Sequence, residues 1–333
     1  YLFGTVDTWI LWNLTGVHAT EPSNASRTML LNLQSKQFDP ELTSFFGIPM
    51  ALLPQLKESQ GIFGNCHTSI LGREIPVTGI LGDQQAALFA HRCWEEGEVK
   101  NTYGTGLFLV ANTKTMIVKD PRLVATLAWT RNGQTDYAVE GSVFTGGSLI
   151  QWLRDSLHFF ENAKDSEALA RSVESSDGVV LVPAFNGLGA PYWDSQARGL
   201  MIGLTRGTQP AHMTRAALEA IAYQTTDVVD TLRDTMRPRR LLADGGATAN
   251  GLLMQFQADM LDMPVLVATA GEMTGLGAAG IAGIGAGFWS DKQFLDLPIA
   301  YKTYRPNTNS AEREARLTRW RDAVSRCRNW SGL

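Results

Sequence analysis

Ile75-Pro76-Val77-Thr78-Gly79-Ile80-Leu81-Gly82-Asp83-Gln84-Gln85-Ala86-Ala87-Leu88-Phe89-Ala90 is the stretch on which the fold turns. Its apolar first half reads as a strand that ends in a Gly-Asp turn. Its second half holds strong helix formers and no breaker, which puts Asp83 where a helix N-cap would stand. The same plan returns twice. Arg240-Leu241-Leu242-Ala243-Asp244 empties into Gly245-Gly246 ahead of a helix from Gly251 to Leu261. Pro264-Val265-Leu266-Val267-Ala268 leads to Glu272-Met273-Thr274 and a glycine- and alanine-rich helix through Ala286. Strands alternating with helices in this way predict an α/β architecture.

Outward from these units, Val99–Tyr103 and Leu107–Val110 flank Gly104-Thr105-Gly106 and read as a hairpin with a tip free of bulky side chains. Gly178–Pro183 reads as a buried strand, Asn186–Asp194 as a glycine- and proline-rich loop, and His212–Leu232 as a helix. Before Ala90 the chain alternates short helical stretches with turns. The apolar residues around Trp9 and Trp12 read as core. Because the chain opens on Tyr1 inside such a segment, a truncated or incompletely recorded N-terminus is expected. From Ser310 to Trp330, Leu317, Trp320, Val324 and Cys327 recur at helical spacing, with six arginines on the remaining face. Those arginines, mixed with Glu312, Glu314 and Asp322, read as a solvated helix face and not as a nucleic-acid footprint.

With 333 residues, about 100 to 200 per domain gives two packed units and a cleft between them. A net charge of −4 and 44% hydrophobic residues describe an ordinary globular chain with no bulk signal for nucleic acid or membrane. The three cysteines, Cys66, Cys93 and Cys327, are too few and too scattered for a disulfide framework or a metal site, so a reducing cytoplasm is expected. No apolar run is long enough to span a bilayer and no charged leader precedes one, so the glycosylation sequons at Asn13, Asn24 and Asn329 read as chance.

Four glycine-marked turns follow strands: Gly82-Asp83, Gly104-Thr105-Gly106, Asp244-Gly245-Gly246 and the region after Glu272. Glycine lets backbone amides approach an anion, and a following helix N-terminus adds partial positive charge, so the set suits a polyphosphate. Locally Asp83 reads first as a plain cap, and second as a general base that takes a hydroxyl proton and helps hold magnesium through water. Thr105 offers a hydroxyl and an amide to a phosphate, or simply turns a hairpin. Gly246 and Asn250 open a helix where a nucleotide would contact them, or Asn250 makes only a local backbone bond.

Gly275-Leu276-Gly277-Ala278-Ala279-Gly280 formally matches GxGxxG after a strand, but too little chain follows for a dinucleotide fold, and the glycines read as close helix packing. HExxH, GxSxG and GxxxxGK[ST] do not occur. His91 and His212 have no sequence partners and read as structural. Any ATP chemistry here proceeds without a P-loop.

These turns, in this order, resemble the actin-like, hexokinase-type (ribonuclease H-like) ATPase fold, and specifically the FGGY carbohydrate kinases. Gly199–Leu204, His212-Met213 and Ala216-Ala217-Leu218-Glu219 match the family's C-terminal signature. Asn24–Leu30, Gly82–Leu88, Lys100–Gly106, Pro183-Ala184-Phe185, Gly187–Asp194 and Leu253–Gln257 are similar to the glycerol-phosphorylating members and not to those acting on pentuloses. Leu107 and Gly275 depart from the family's commoner cysteine and alanine.

The resemblance implies ATP-dependent phosphorylation of glycerol to glycerol 3-phosphate, with ATP and magnesium, in the cytoplasm. It implies a homo-oligomer, dimer or tetramer, without nucleic-acid or membrane partners. Residues 1–90 would be the C-terminal portion of a first domain, 91–290 a complete nucleotide-binding second domain, and 291–333 an extension carrying an amphipathic helix. Asp83 becomes the catalytic base, gripping a glycerol hydroxyl and touching magnesium through water; Gln84 binds glycerol beside it and Phe108 lines the pocket. Gly104 and Thr105 match the second phosphate motif, Gly147 and Gln151 match nucleotide contacts, and Gly246 with Asn250 match the adenosine motif. The family's first phosphate hairpin and further glycerol contacts match nothing after Tyr1, so the isolated chain is expected to have negligible kinase activity. The other readings are a pentulose kinase and a non-catalytic nucleotide-binding fragment.

Overall fold

The computed structural model describes residues 1–116, 118–269 and 272–330. Its centre is a seven-stranded mixed sheet. Across it run Tyr301–Tyr304, Val265–Ala268, Leu241–Asp244, Val99–Tyr103, Leu107–Lys114, Gln134–Val143 and Val124–Arg131. Leu241–Asp244 pairs in parallel with both Val265–Ala268 and Val99–Tyr103, whereas the last four strands pair antiparallel, with Val124–Arg131 on the outer edge. The three parallel strands therefore end on one edge, where ligands gather in open α/β sheets.

The helix Pro210–Leu232 is buried on nearly all sides, with Ala216, Ala220, Ile221, Val228 and Val229 in the main core. It also buries Glu219, Gln224, Thr225, Thr226 and Asp227, so its polar groups find partners inside the protein. Against the other sheet face, Leu88, Phe89, Trp94, Trp129, Ile281 and Phe294 form a second core.

The opening stretch folds as a strand Ile75–Gly79 and a helix Asp83–Ala90. The helix lies against Met273–Gly285, and glycines make that contact. A Cβ on Gly277 would collide with the Ala86 carbonyl; on Gly280 and Gly283 it would enter the rings of Phe294 and Trp289. The formal GxGxxG is thus a close-packing face. Two further ties join the N-terminal residues to the sheet and to the Met273–Gly285 helix. Arg27 donates from Nη1 and Nη2 to Glu140 at 2.7 and 3.2 Å. Thr78 Oγ1 donates to the Ala282 carbonyl at 2.7 Å.

Two expectations need correction. Asp83 is not the N-cap: Gly82 holds the extended cap conformation, its carbonyl accepts the Ala86 N–H at 2.7 Å, and Asp83 is the first helical residue. Trp9 and Trp12 are not core, being 68% and 47% exposed. Their helix, Val6–Thr15, meets the strand Gln60–Cys66 along one stripe that buries Leu11 and Thr8. The C-terminal helix runs Ser310–Cys327 and buries Leu317, Trp320, Val324 and Cys327 as the periodicity required. Its arginines pair with Glu312, Asp322, Asp230 and Asp262, which is the pattern of a solvated face. The sequon at Asn329 extends to Ser331, outside the described residues.

Asp227, deep in the Pro210–Leu232 helix, accepts hydrogen bonds from Trp320 Nε1 at 2.6 Å and Tyr192 Oη at 2.8 Å. Burial pushes its carboxyl up to about 6 despite those donors. A raised folded-state value means that its contribution to stability is complete below the unfolded value near 3.8 and is lost as pH rises through about 6. The loss amounts to about 3 kcal/mol. Urea unfolding from pH 4 to 7 is expected to show that decline, and Asp227→Asn to flatten it. Gly277→Val is expected to lower unfolding free energy by about 1–3 kcal/mol through overpacking. Gly275→Ala, whose new methyl meets only the Glu272 side chain, is expected not to lower it, because alanine favours the helix over glycine.

Candidate active site

A cavity of about 500 Å³ opens where the strands Val99–Tyr103 and Leu241–Asp244 end. Gly104, Thr105, Gly147, Gln151, Gly246 and Asn250 all line it. These residues come from three separate segments, so the fold joins the hairpin tip, the helix Gly147–Asp155 and the turn before Gly251–Leu261 in one concavity.

Close backbone contacts build the walls. The N–H groups of Gly146 and Ser148 donate to the Thr105 carbonyl and that of Gly147 donates to the Gly104 carbonyl, locking the hairpin tip onto the next helix. Gly245 holds φ +93°, and a Cβ there would lie 2.6 Å from the Tyr103 carbonyl, so the two strand ends touch only if this residue is glycine. The N–H and hydroxyl of Thr105 have no protein partner among the described residues, and Thr105 is exposed. Backbone and hydroxyl donors left open at a glycine turn are the groups that receive phosphate oxygens.

The third turn differs from its sequence reading. The N-terminus of Gly251–Leu261 is already occupied: Glu167 accepts the N–H of Gly251 at 2.9 Å and of Leu252 at 3.2 Å, and Asn250 Oδ1 accepts that of Leu253 at 3.0 Å. The local backbone bond foreseen for Asn250 is therefore made. That helix end does not attract an anion; Glu167 makes this side of the cavity suitable for an uncharged group.

Asp83, Gln84 and Phe108 lie outside that cavity and are joined to each other through Lys100. The Asp83 carboxylate is exposed and accepts from the Gln84 N–H at 2.8 Å and from Gln84 Nε2 at 3.1 Å. Lys100 donates to Gln84 Oε1, to Thr102 Oγ1 at 3.0 Å and to the Phe108 carbonyl at 3.3 Å. Further in, His91 Nε2 stands 2.9 Å from Asp244 Oδ2, and its Nδ1 is 3.1 Å from Tyr301 Oη. Since a carboxylate only accepts, Nε2 carries the hydrogen. Burial opposes ionisation of Asp244, but the His91 hydrogen bond and the Lys100 charge outweigh it and hold its carboxyl below the usual range.

The turn that carries Asp83 has its own buried anchor. Ser23 Oγ accepts the Gly82 N–H at 2.9 Å, and Glu21 gathers the N–H groups of Ser23 and Asn24 and the hydroxyl of Ser59. Burial pushes the Glu21 carboxyl up. Sequence reasoning missed Lys100, Asp244, Glu21 and Glu167. The available signal was a polar run, Lys100-Asn101-Thr102, inside a strand bounded by buried Val99 and Tyr103. His91 and His212 act structurally, the latter accepting the Gln209 N–H to cap Pro210–Leu232. Among the described residues no three His, Cys, Asp or Glu side chains gather as a metal centre, and no helix is long and apolar enough to cross a membrane.

A family model for the FGGY carbohydrate kinases, C-terminal domain, matches residues 99–286, and the N-terminal domain model matches residues 1–90. The chain belongs to the FGGY family of carbohydrate kinases. Like its relatives it has the two-domain, actin-like and ribonuclease H-like fold. It is 54% identical over 338 residues to a glycerol kinase of Aquifex aeolicus, covering 100% of this chain and 69% of that protein. It is 47% identical to one of Thermococcus kodakarensis, covering 99% and 67%. The crystal structure of Plasmodium falciparum glycerol kinase with ADP superposes with a TM-score of 0.91 at 34% identity, over 100% of this chain and 67% of that one. A xylulose kinase from Rhodospirillum rubrum superposes at 0.82 with 26% identity, over 96% of this chain and 66% of that one.

Gly246 has open space around its Cα. Gly246→Val is therefore expected to leave the melting temperature unchanged while weakening ADP binding by about 10-fold or more, read by calorimetric titration.

Proposed function

We propose that this chain supplies the catalytic base and the nucleotide pocket of the glycerol kinase reaction, the transfer of the γ-phosphoryl group of ATP to a terminal hydroxyl of glycerol. The observation that carries the reading is the convergence of six residues from three segments on one cavity, at the sheet edge where the Asp83–Gln84–Lys100 chain also ends. Identities of 47–54% to glycerol kinases over almost the whole chain support the choice of substrate. The family matches at 1–90 and 99–286 support a division near residue 90.

In this reading the adenosine lies against Gly246 and Asn250, whose Oδ1 is committed, leaving Nδ2 to donate. The phosphates reach over the hairpin tip to the free Thr105 N–H and hydroxyl, with Gly147 and Gln151 along the wall. A glycerol hydroxyl sits between Asp83 and Gln84, its carbons against Phe108. Asp83 takes the hydroxyl proton as the oxygen bonds to phosphorus, the bond from phosphorus to the bridging oxygen breaks, and ADP leaves. The one exposed carboxylate of Asp83 fits a magnesium ion brought with the nucleotide, which Asp83 would hold through water and which would supply positive charge to offset that of the phosphates.

A coupled ADP-release assay on a polyol and pentulose panel, with enzyme expressed from the complete gene, is expected to show turnover of glycerol. Turnover confined to a pentulose would sink the reading. Asp83→Asn is expected to lower kcat by about 10²–10⁴-fold with ADP affinity retained.

A further inference from the structure

Lys100 is wholly buried, and an ammonium has three hydrogens and no lone pair. All three hydrogens have acceptors, and these are Gln84 Oε1, Thr102 Oγ1 and the Phe108 carbonyl. Two of the three acceptors belong to residues assigned above to glycerol. The strand register explains the reach, because Thr102 stands opposite Phe108 across the hairpin, with Lys100 two residues before it.

We propose that Lys100 is a positioning residue that sets the polarity of the glycerol site by holding the Gln84 amide with its oxygen inward and its nitrogen toward Asp83. The proposal rests on the kinase reading above. Because Lys100 can only donate, the amide oxygen must face it, and Nε2 must face the other way. One Nε2 hydrogen goes to Asp83 Oδ2 at 3.1 Å. The second remains for a substrate oxygen. The site then presents a donor and a carboxylate acceptor side by side, which is the complement of a hydroxyl group: its oxygen accepts from Gln84 while its hydrogen goes to Asp83. A protonated amine at the same place would meet the Nε2–H with no lone pair to offer it.

The ammonium form is sustained by its surroundings. Burial pulls the Lys100 amine down to about 8, and Asp244, Glu140 and Asp83 limit the fall. Thr102 stands beside Asp244 in the sheet register, and His91 hydrogen bonds to Asp244, so the clamp is braced from within the sheet. Charge-assisted bonds of this kind are shorter and about twice as strong as neutral ones.

The test is a double-mutant cycle in enzyme expressed from the complete gene, with glycerol KM and kcat, ADP affinity and melting temperature measured for each variant. Lys100→Met keeps the length of the side chain and removes the charge. It is expected to raise glycerol KM about 10-fold or more, with a much smaller fall in kcat and unchanged ADP affinity. Gln84→Ala is expected to raise KM comparably. In the double variant Lys100→Met should add less than about threefold, because a residue acting through another has nothing left to act on. Gln84→Glu keeps an acceptor for Lys100 and loses the donor beside Asp83, so it too should raise KM, which keeps the proposal open to test if Lys100→Met does not fold. An unchanged KM in Lys100→Met or in Gln84→Glu would overturn the proposal. So would fully multiplicative effects, or a lower melting temperature with KM unaltered. Absence of glycerol turnover in the unsubstituted enzyme is a separate outcome, and it would overturn the kinase reading itself.

Discussion

The carboxyl ends of Val99–Tyr103 and Leu241–Asp244 lie side by side with a buried lysine on one strand and a mostly buried aspartate on the other. Opposite charges on the two strands, with Thr102 between them and His91 behind Asp244, make that burial tolerable; either charge alone would cost several kcal/mol. Much of the site follows from this arrangement. The Lys100 side reaches out to Gln84, Asp83 and Phe108, and the Asp244 side runs directly into Gly245, Gly246 and the cavity. The buried polar chain is therefore the common root of the Asp83–Gln84–Phe108 cluster and of the cavity, which do not otherwise share residues.

Glycine shapes the rest by permitting backbones to touch. Gly245 lets the two strand ends meet, Gly147 lets the hairpin tip dock on a helix, and Gly277 lets the Met273–Gly285 helix press onto the one that begins at Asp83. The last contact connects the two family segments. It holds the helix that presents Asp83 against the part of the chain that carries the cavity, so the placement of Asp83 depends on a packing contact remote from it.

Much of this was legible in the sequence, for reasons that differ by element. The strand, glycine turn and helix units announce themselves through short apolar runs, breakers and helix formers, and the segments at 99–103, 251–261 and 265–268 fall where those signals put them. The polar residues that line the cavity were legible through family motifs. Asp83 as an N-cap was misread because local sequence does not distinguish Gly82 in an extended conformation from an aspartate cap. Trp9 and Trp12 were misread because periodicity marks an apolar stripe without saying how much of it a neighbour covers. Lys100, Glu21 and Glu167 were not legible, since a lysine in a strand or a glutamate near a turn is ordinarily solvated, and their partners lie 16, 38 and 84 residues away.

In the proposed reading one sheet edge carries the nucleotide cavity and the Asp83–Gln84 pair as a single site. A crystal structure with ADP and glycerol tests it most directly. The expected result is adenosine beside Gly246 and Asn250, phosphate at the Thr105 amide, and one glycerol hydroxyl within hydrogen-bond distance of both the Asp83 carboxylate and Gln84 Nε2. Nucleotide bound elsewhere, or glycerol held away from Asp83, would contradict it.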